Sequence, residues 1–286
     1  MSNISASQVK ELREKTGLGL MDCKKALEEA NGDLDLAVEE LRKTSGLKAS
    51  KKSSRSAADG LIGIKSCDGK SFMVEINCET DFVARDDSFN LFMQEVLEIV
   101  STNVDKSLEE LLKLGIEEKR EKLVQKLGEN IVVRRTTASA DNADSSGVYL
   151  HSNNKIGTII SLKGGTEEVA KDIAMHAAAT DPMAISPSDI PEEVIEKERE
   201  IYRAQSEESG KPADIVEKMI EGKIRKFLSE VSLTEQDFVK DPSLKINDIL
   251  EENDASIIGF TRFEVGEGIE VEKVDFASEV MSQIEG

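Results

Sequence analysis

Glu75-Ile76-Asn77-Cys78-Glu79-Thr80-Asp81-Phe82-Val83-Ala84-Arg85 decides how this chain is read. At its start, Phe72, Val74, Ile76 and Cys78 alternate with Met73, Glu75 and Asn77, the period of two of a half-buried strand. The strand is predicted to stop near Glu79. Thr80 then serves as N-cap of a helical turn, with Asp81 in the first turn, where the helix dipole favours a negative charge. Phe82 falls in that same turn, near the surface. The pattern recurs further along the chain. Thr80-Asp81-Phe82-Val83-Ala84-Arg85-Asp86 is echoed by Thr166-Glu167-Glu168-Val169-Ala170-Lys171-Asp172, and each follows a Gly-led hairpin pattern, Gly60 to Cys78 and Gly147 to Lys163. The two halves read as repeats. The recurring Thr, Val, Ala and final Asp fit shared cap and core roles, whereas Phe82 is matched by Glu168. A position that takes glutamate in one copy does not need phenylalanine to fold. Phe82 therefore has two readings: a side chain tucked under a neighbouring helix, or an exposed contact for a partner.

The flanking segments give the architecture. Ser5 with Gln8 makes a capping-box pattern, Gly17 stops a first helix, Asp22 to Asn31 make a second that Gly32 ends, and Asp33 caps a third through Leu41. Ala26, Leu27, Ala30, Gly32, Ala37, Val38 and Leu41 resemble the pattern of a ubiquitin-associated (UBA-like) three-helix bundle. Strands near 60–67 and 71–78 meet at Asp68-Gly69, a favourable hairpin turn, and a helix with Phe89, Phe92, Val96 and Val100 follows. Helices continue to Gly128. A second subdomain takes strands near 131–139, 147–151 and 155–163 and a helix from Thr166 to Ala179 that Asp181-Pro182 closes. Residues 191–208 hold ten charged positions in eighteen. Ser209-Gly210-Lys211-Pro212 then turns the chain into a helix presenting Ile215, Met219, Ile220, Ile224, Phe227 and Val231, so a protruding antiparallel hairpin is expected. Its apolar stripe is open to two uses, packing within the hairpin or a subunit contact. Ile257 to Val265 alternates as a strand completing the second sheet, and Glu279, Val280 and Ile284 belong to a last helix. The fold class is α+β: an N-terminal UBA-like bundle, a core of two α/β subdomains with antiparallel sheets, a helical hairpin and a C-terminal helix. Module boundaries fall at 1–55 (bundle and basic linker), 56–140, 141–190, 191–231 (hairpin, read as coiled coil), 232–265 and 266–286. The strand near 131–139 lies before the second boundary but is read with the second sheet.

Composition narrows the function. The 286 residues are 4% aromatic with no Trp, so the core is aliphatic. Residues 1–55 carry 11 Lys plus Arg against 9 Asp plus Glu, and the rest carries 26 against 48. That acidic body repels phosphates, so no direct nucleic-acid binding is expected and any partner is a protein. The basic run Lys43 to Arg55 reads as a solvated, Ser-rich linker, with contact to RNA or an acidic partner as the alternative. No run of about eighteen apolar residues exists and the N-terminus lacks a signal-peptide pattern, so a cytoplasmic protein off the membrane is expected. Cys23, Cys67 and Cys78 make no CxxC pair and read as small buried residues. His151 and His176 lack partners at metal-ligand spacing, and no catalytic triad is supported, so neither a metal, a cofactor nor covalent catalysis is expected. Gly69-Lys70-Ser71 imitates the end of a P-loop, but Gly63 is one residue too distant and a strand follows. Gly266-Glu267-Gly268 is too short and too acidic to cradle phosphate.

Two long motifs carry a family resemblance. Glu75 to Arg85, and Leu12-Arg13-Glu14-Lys15-Thr16-Gly17-Leu18-Gly19-Leu20-Met21-Asp22-Cys23-Lys24-Lys25-Ala26-Leu27, resemble the signatures of the bacterial translation elongation factor Ts family. Ser232-Leu233-Thr234-Glu235-Gln236-Asp237-Phe238-Val239 extends the resemblance, with Asp237 where the family usually shows proline. The resemblance implies a guanine-nucleotide exchange factor without its own nucleotide site, binding the GTPase elongation factor Tu, with a homodimer or 2:2 assembly in view. It implies that Thr80, Asp81, Phe82 and Val83 press on the GTPase and dislodge its Mg²⁺, and that Lys24, Leu127, Gly128 and His151 make secondary partner contacts. It also implies that the N-terminal bundle docks on the GTPase domain. From another class, a stand-alone adaptor could use that bundle to bind ubiquitin-like or nascent-chain partners; the Glu75–Arg85 motif speaks against it.

Overall fold

The structure, a computed structural model, describes residues 4–207 and 212–270. Two compact units divide the chain, one of residues 1–63, 74–136 and 264–286, the other of 64–73 and 137–263.

In the first unit, α1 (Ala6–Thr16), α2 (Leu20–Glu29) and α3 (Leu34–Lys52) pack around Leu12, Cys23, Leu27 and Ala37, none of them exposed to solvent. Their ends obey local rules. The Ser5–Gln8 capping box closes the start of α1, Gly17 ends it at φ +69°, and the Asp33 carboxylate accepts from the Asp35 and Leu36 amides to start α3. The third helix does not stop at Leu41, however, and the linker reading of residues 43–52 is overturned. Ser45 and Ala49, one turn apart, are buried as α3 continues against α7 (Glu117–Leu127). Small side chains let two helices approach closely here, and Glu121 lies against Gly46. Several lysines of the run are tied down too: Lys43 pairs with Glu39 at 2.9 Å, Lys48 with Asp22 at 2.9 Å, and Lys52 donates to the Gly128 carbonyl, while the neighbouring Arg42 pairs with Glu118 at 2.5 Å.

Strands β1 (Asp59–Cys67) and β2 (Lys70–Cys78) form the expected hairpin, with Asp68 at φ +50° and Gly69 at φ +76°, as a two-residue turn with both central residues left-handed requires. β3 (Val132–Ala138) pairs with β2, giving the order β1-β2-β3. That corrects its placement in the second sheet. The physical reason is ionic: Arg134 and Arg135 of β3 meet Glu75 of β2, with Arg134 Nη1 3.1 Å from its carboxylate. Glu75 and Asn77 are 0% and 1% exposed, so β2 is buried on both faces rather than one. The polar face is covered by this ion cluster and by Gly266, whose amide donates to Glu75 at 2.9 Å. After β2, α4 (Asp81–Ala84) is a single turn, and α5 (Asp87–Thr102) buries Phe89, Phe92, Met93, Val96, Leu97 and Val100 on one stripe. Gly63 on β1 faces Met93 and Leu97 so closely that a Cβ would lie 2.6 Å from the Met93 sulfur. α6 (Leu108–Leu111) leads through a wider turn around Gly115, φ +97°, into α7, which ends at Gly128, φ +81°.

The second unit holds the sheet β4-β5-β8, formed by β4 (Ser145–Leu150), β5 (Ile156–Lys163) and β8 (Ser256–Glu264), with β4 and β5 antiparallel. β8 completes this sheet as its alternation indicated. α8 (Glu167–Thr180) lies on β4: a Cβ at Gly147 would come within 2.1 Å of the Lys171 amide nitrogen. α9 (Glu192–Glu207) and α10 (Ala213–Val231) pack on each other, Arg199 reaching Glu221 at 2.5 Å. Of the apolar stripe on α10, Ile220 and Ile224 are buried and Ile215 is exposed. Asp237 opens the short strand β6 (Asp237–Phe238), which pairs with β7 (Asp241–Lys245), and α11 (Ile246–Glu252) follows. His176 on α8 is fully buried against Phe238. Its Nδ1 accepts from the Val239 amide at 3.2 Å, so the proton sits on Nε2 and is donated to Gln236 Oε1 at 2.9 Å. Burial pushes its pKa below the ordinary value, the Gln236 bond only partly opposing this. The turn at 209–211 and the helix expected around Glu279, Val280 and Ile284 lie outside the described residues. No described helix is long and apolar enough to cross a membrane, and no cluster of described residues is suited to a metal.

Candidate functional site

Thr80 leaves β2 with an extended backbone, φ −134° and ψ 156°, and its hydroxyl accepts from the Val83 amide at 3.4 Å, the N-cap of α4. Asp81 sits in the first turn and pairs with Arg85 at 2.8 Å, a surface contact of small energetic weight. Val83 and Ala84 are buried and pin the turn from beneath. Phe82 is 80% exposed, the most exposed of the large apolar side chains described. The structure sets aside the first reading: the ring lies in solvent, not under a helix. The helix stops at Arg85 and Asp86 starts the next one, its carboxylate accepting from the Ser88 amide at 2.7 Å. Bonding to the Ser88 hydroxyl, with help from its amide and from Lys126, holds the Asp86 carboxyl below its ordinary range despite partial burial.

The second copy is a built-in comparison. Thr166 caps α8 with nearly the same backbone, φ −126° and ψ 161°, and its hydroxyl accepts from the Val169 amide at 3.3 Å. Glu168 is exposed, as the comparison with Phe82 requires. The final Asp does not play one role in both copies. Asp86 restarts a helix, whereas Asp172 lies inside the unbroken α8 and pairs with Lys240 at 2.5 Å. So only the first copy breaks its helix after one turn, and only that copy lifts a phenylalanine into water.

Glu129 escaped the sequence reading. Its carboxylate accepts from the Glu79 and Thr80 amides, both at 3.0 Å, and from the Thr80 hydroxyl at 2.6 Å. In return Glu79 accepts from the Asn130 amide at 2.6 Å. Glu129 is 49 residues from Thr80, and nothing local marks it except its place directly after the helix-ending Gly128. Through it the Leu127-Gly128 segment stands beside the Thr80–Val83 turn. Leu127 is half-buried, and the Gly128 carbonyl is occupied by Lys52. Lys24, on α2, is half-exposed and 3.7 Å from Glu28; no hydrogen bond or ion pair joins it to the turn. His151 lies in the other unit, exposed between β4 and β5, with Nδ1 2.9 Å from Asn153 Oδ1 and its ring edge-on to Tyr149. The site thus offers a clamped backbone and an apolar projection.

An apolar ring is thus held out in solvent on a hydrogen-bonded turn beside a helix end. The family model described as Elongation factor TS matches residues 79–267, from the Glu79 that starts this turn to the loop that covers Glu75. The chain is 54% identical over 288 aligned positions to "Elongation factor Ts" of Hahella chejuensis (strain KCTC 2396), with all of both chains covered. It is 51% identical over 292 positions to the protein of that name from Francisella tularensis subsp. novicida (strain U112), again with full coverage. A third, from Marinobacter nauticus (strain ATCC 700491 / DSM 11845 / VT8), is 52% identical over 282 positions covering 98% of this chain and 97% of its own. The chain belongs to the elongation factor Ts family. That membership implies a nucleotide-exchange factor for elongation factor Tu in translation elongation, not a catalyst of covalent chemistry.

Proposed function

We propose that the Thr80–Val83 turn is the working edge of this exchange factor, with Phe82 entering an apolar pocket on the GTPase domain of elongation factor Tu. Asp81 and Val83 help hold that contact. The resulting shift disturbs the Mg²⁺ and phosphate site of the GTPase, and because Mg²⁺ bridges phosphate oxygens to protein ligands, its displacement weakens the hold on GDP. The factor then stabilises the nucleotide-free GTPase, and by linkage an incoming nucleotide loosens the factor by the same ratio. The single observation that carries this reading is the 80% exposure of Phe82 on a turn whose backbone is fixed, against Glu168 in the folded counterpart. Lys24, Leu127, Gly128 and His151 act as secondary contacts that orient the wedge.

The remaining divisions follow the same reading. Residues 1–55 form a UBA-like docking module, 56–140 the wedge-bearing subdomain, 141–190 with 232–265 the second subdomain, 191–231 a protruding hairpin and 266–286 a C-terminal module. The hairpin's exposed apolar positions are suited to a second copy in a homodimer or 2:2 assembly, and the place of work is the cytoplasm. The test is release of a fluorescent GDP analogue from elongation factor Tu with this protein at catalytic concentration. Expected is acceleration by the wild type that Phe82→Ala cuts steeply, to a measurable remainder, while remaining folded. No acceleration by the folded wild type overturns the reading and favours the adaptor.

A further inference from the structure

We propose that Glu129 is a positioning residue for exchange: it aims Phe82 by fixing the backbone of the turn that carries it. The proposal rests on the exchange reading above. Phe82 is 80% exposed, so its own side chain does little to fix its direction; the backbone of residues 79–83 must do so. α4 is four residues long and cannot sustain itself, because a single helical turn repays little of the order it imposes. Glu129 supplies what the turn lacks. One carboxylate oxygen accepts from two consecutive amides, Glu79 and Thr80, and the other from the Thr80 hydroxyl. That hydroxyl has one proton. Once it points at Glu129, only lone pairs face the Val83 amide, so Glu129 sets the polarity of the N-cap as well as the path of the backbone. Glu79 answers by accepting from the Asn130 amide, so the two segments hold each other from both sides.

The second copy shows that the fold does not need this clasp. Thr166 caps α8 in the same conformation with no carboxylate accepting from it among the described residues, and a 14-residue helix takes over directly. The clasp accompanies the copy in which the helix breaks after one turn and a phenylalanine projects.

The experiment compares wild type, Glu129→Gln, Phe82→Ala and the double variant in catalysed GDP release, at saturating and subsaturating factor, with thermal melting alongside. Glutamine keeps the size but turns an NH₂ toward donors. Expected is a fall in the saturated rate on the order of tenfold or more, as for loss of a charged acceptor, with a folded protein. The double variant should be no slower than Phe82→Ala alone, because an aim matters only while there is a ring to aim. A merely structural role predicts losses that multiply. Glu129→Asp, whose shorter arm cannot reach all three donors, gives the same test should the glutamine variant unfold. An unchanged rate in a folded Glu129 variant, or independent losses in the double variant, overturns the proposal alone. Failure of wild type to accelerate release removes the exchange reading and this proposal with it.

Discussion

Replacing Glu75 by glutamine removes one negative charge from a site with no solvent access. In the wild type the carboxylate accepts from Arg134 at 3.1 Å, Asn77 at 3.0 Å, the Gly266 amide at 2.9 Å and Arg135 Nε. Glutamine can keep one oxygen among these donors, but its NH₂ must face the rest. Breaking a buried pair from one side costs about 3–5 kcal/mol. Arg134 and Arg135 are 26% and 29% exposed, and Arg135 also reaches Glu267, so water and a second partner absorb part of the penalty. A loss of about 2–3 kcal/mol at pH 7 follows, or roughly 4–10 °C in the melting of a unit this size. The pH dependence has a sign. Burial alone works to raise the Glu75 pKa, but bonds from Gly266, Arg135 and Asn77 outweigh it and the folded value lies below the ordinary one. The ionised form is therefore favoured by folding. That stability is present above the unfolded carboxyl's pKa, near 4.5, and is lost as pH falls through the folded value. The gap between wild type and Glu75→Gln should thus be full at pH 7 and narrow below about pH 4.5. Urea titrations of both proteins at pH 7 and pH 4 measure it. A variant within about 0.5 kcal/mol of wild type at pH 7, the range of a neutral surface change, refutes the assignment of Glu75 as the ionic centre of this sheet.

Other outcomes follow from single contacts. His176 is buried neutral with a depressed pKa, so the unfolded chain takes up its proton first: stability should fall as pH drops below about 6.5, and His176→Gln should flatten that slope in melts from pH 8 to 5. Equal slopes in the two proteins speak against it. Ala49→Leu forces three extra carbons between α3 and α7 and should cost about 1–3 kcal/mol, measured by melting, whereas a residue in a solvated linker would tolerate leucine freely.

What the sequence discloses depends on how far a residue's partner lies along the chain. Asp68-Gly69, the Ser5–Gln8 box, Gly17, Thr80 and Thr166 act on neighbours within four residues, and their positions could be read directly. For Phe82 the repeat, by supplying Glu168 as a comparison, opened the exposed reading beside the buried one, and only the structure decides between them. Glu75 shows the limit. Alternation marks it as polar, but only the pairing of β3 brings Arg134 and Arg135 opposite and turns an expected wet face into a buried ionic one. Lys43 to Lys52 misled through composition: a run of Lys and Ser looks solvated, yet Ser45 and Ala49 lie one helical turn apart and are small for a packing reason. Glu129 had no local signal at all, since its three donors lie about fifty residues away.

The central claim is that Phe82 stabilises a complex rather than the fold. Calorimetric titration of nucleotide-free elongation factor Tu with wild type and Phe82→Ala, each checked by melting, tests it most directly. With four-fifths of the residue free to be covered, the transfer gain of a phenylalanine ring gives about 2 kcal/mol, or roughly thirtyfold in affinity. A thirtyfold weaker complex with an unmoved melting temperature is expected. Equal affinities, or a variant that loses the several kcal/mol typical of a buried phenylalanine, would contradict it.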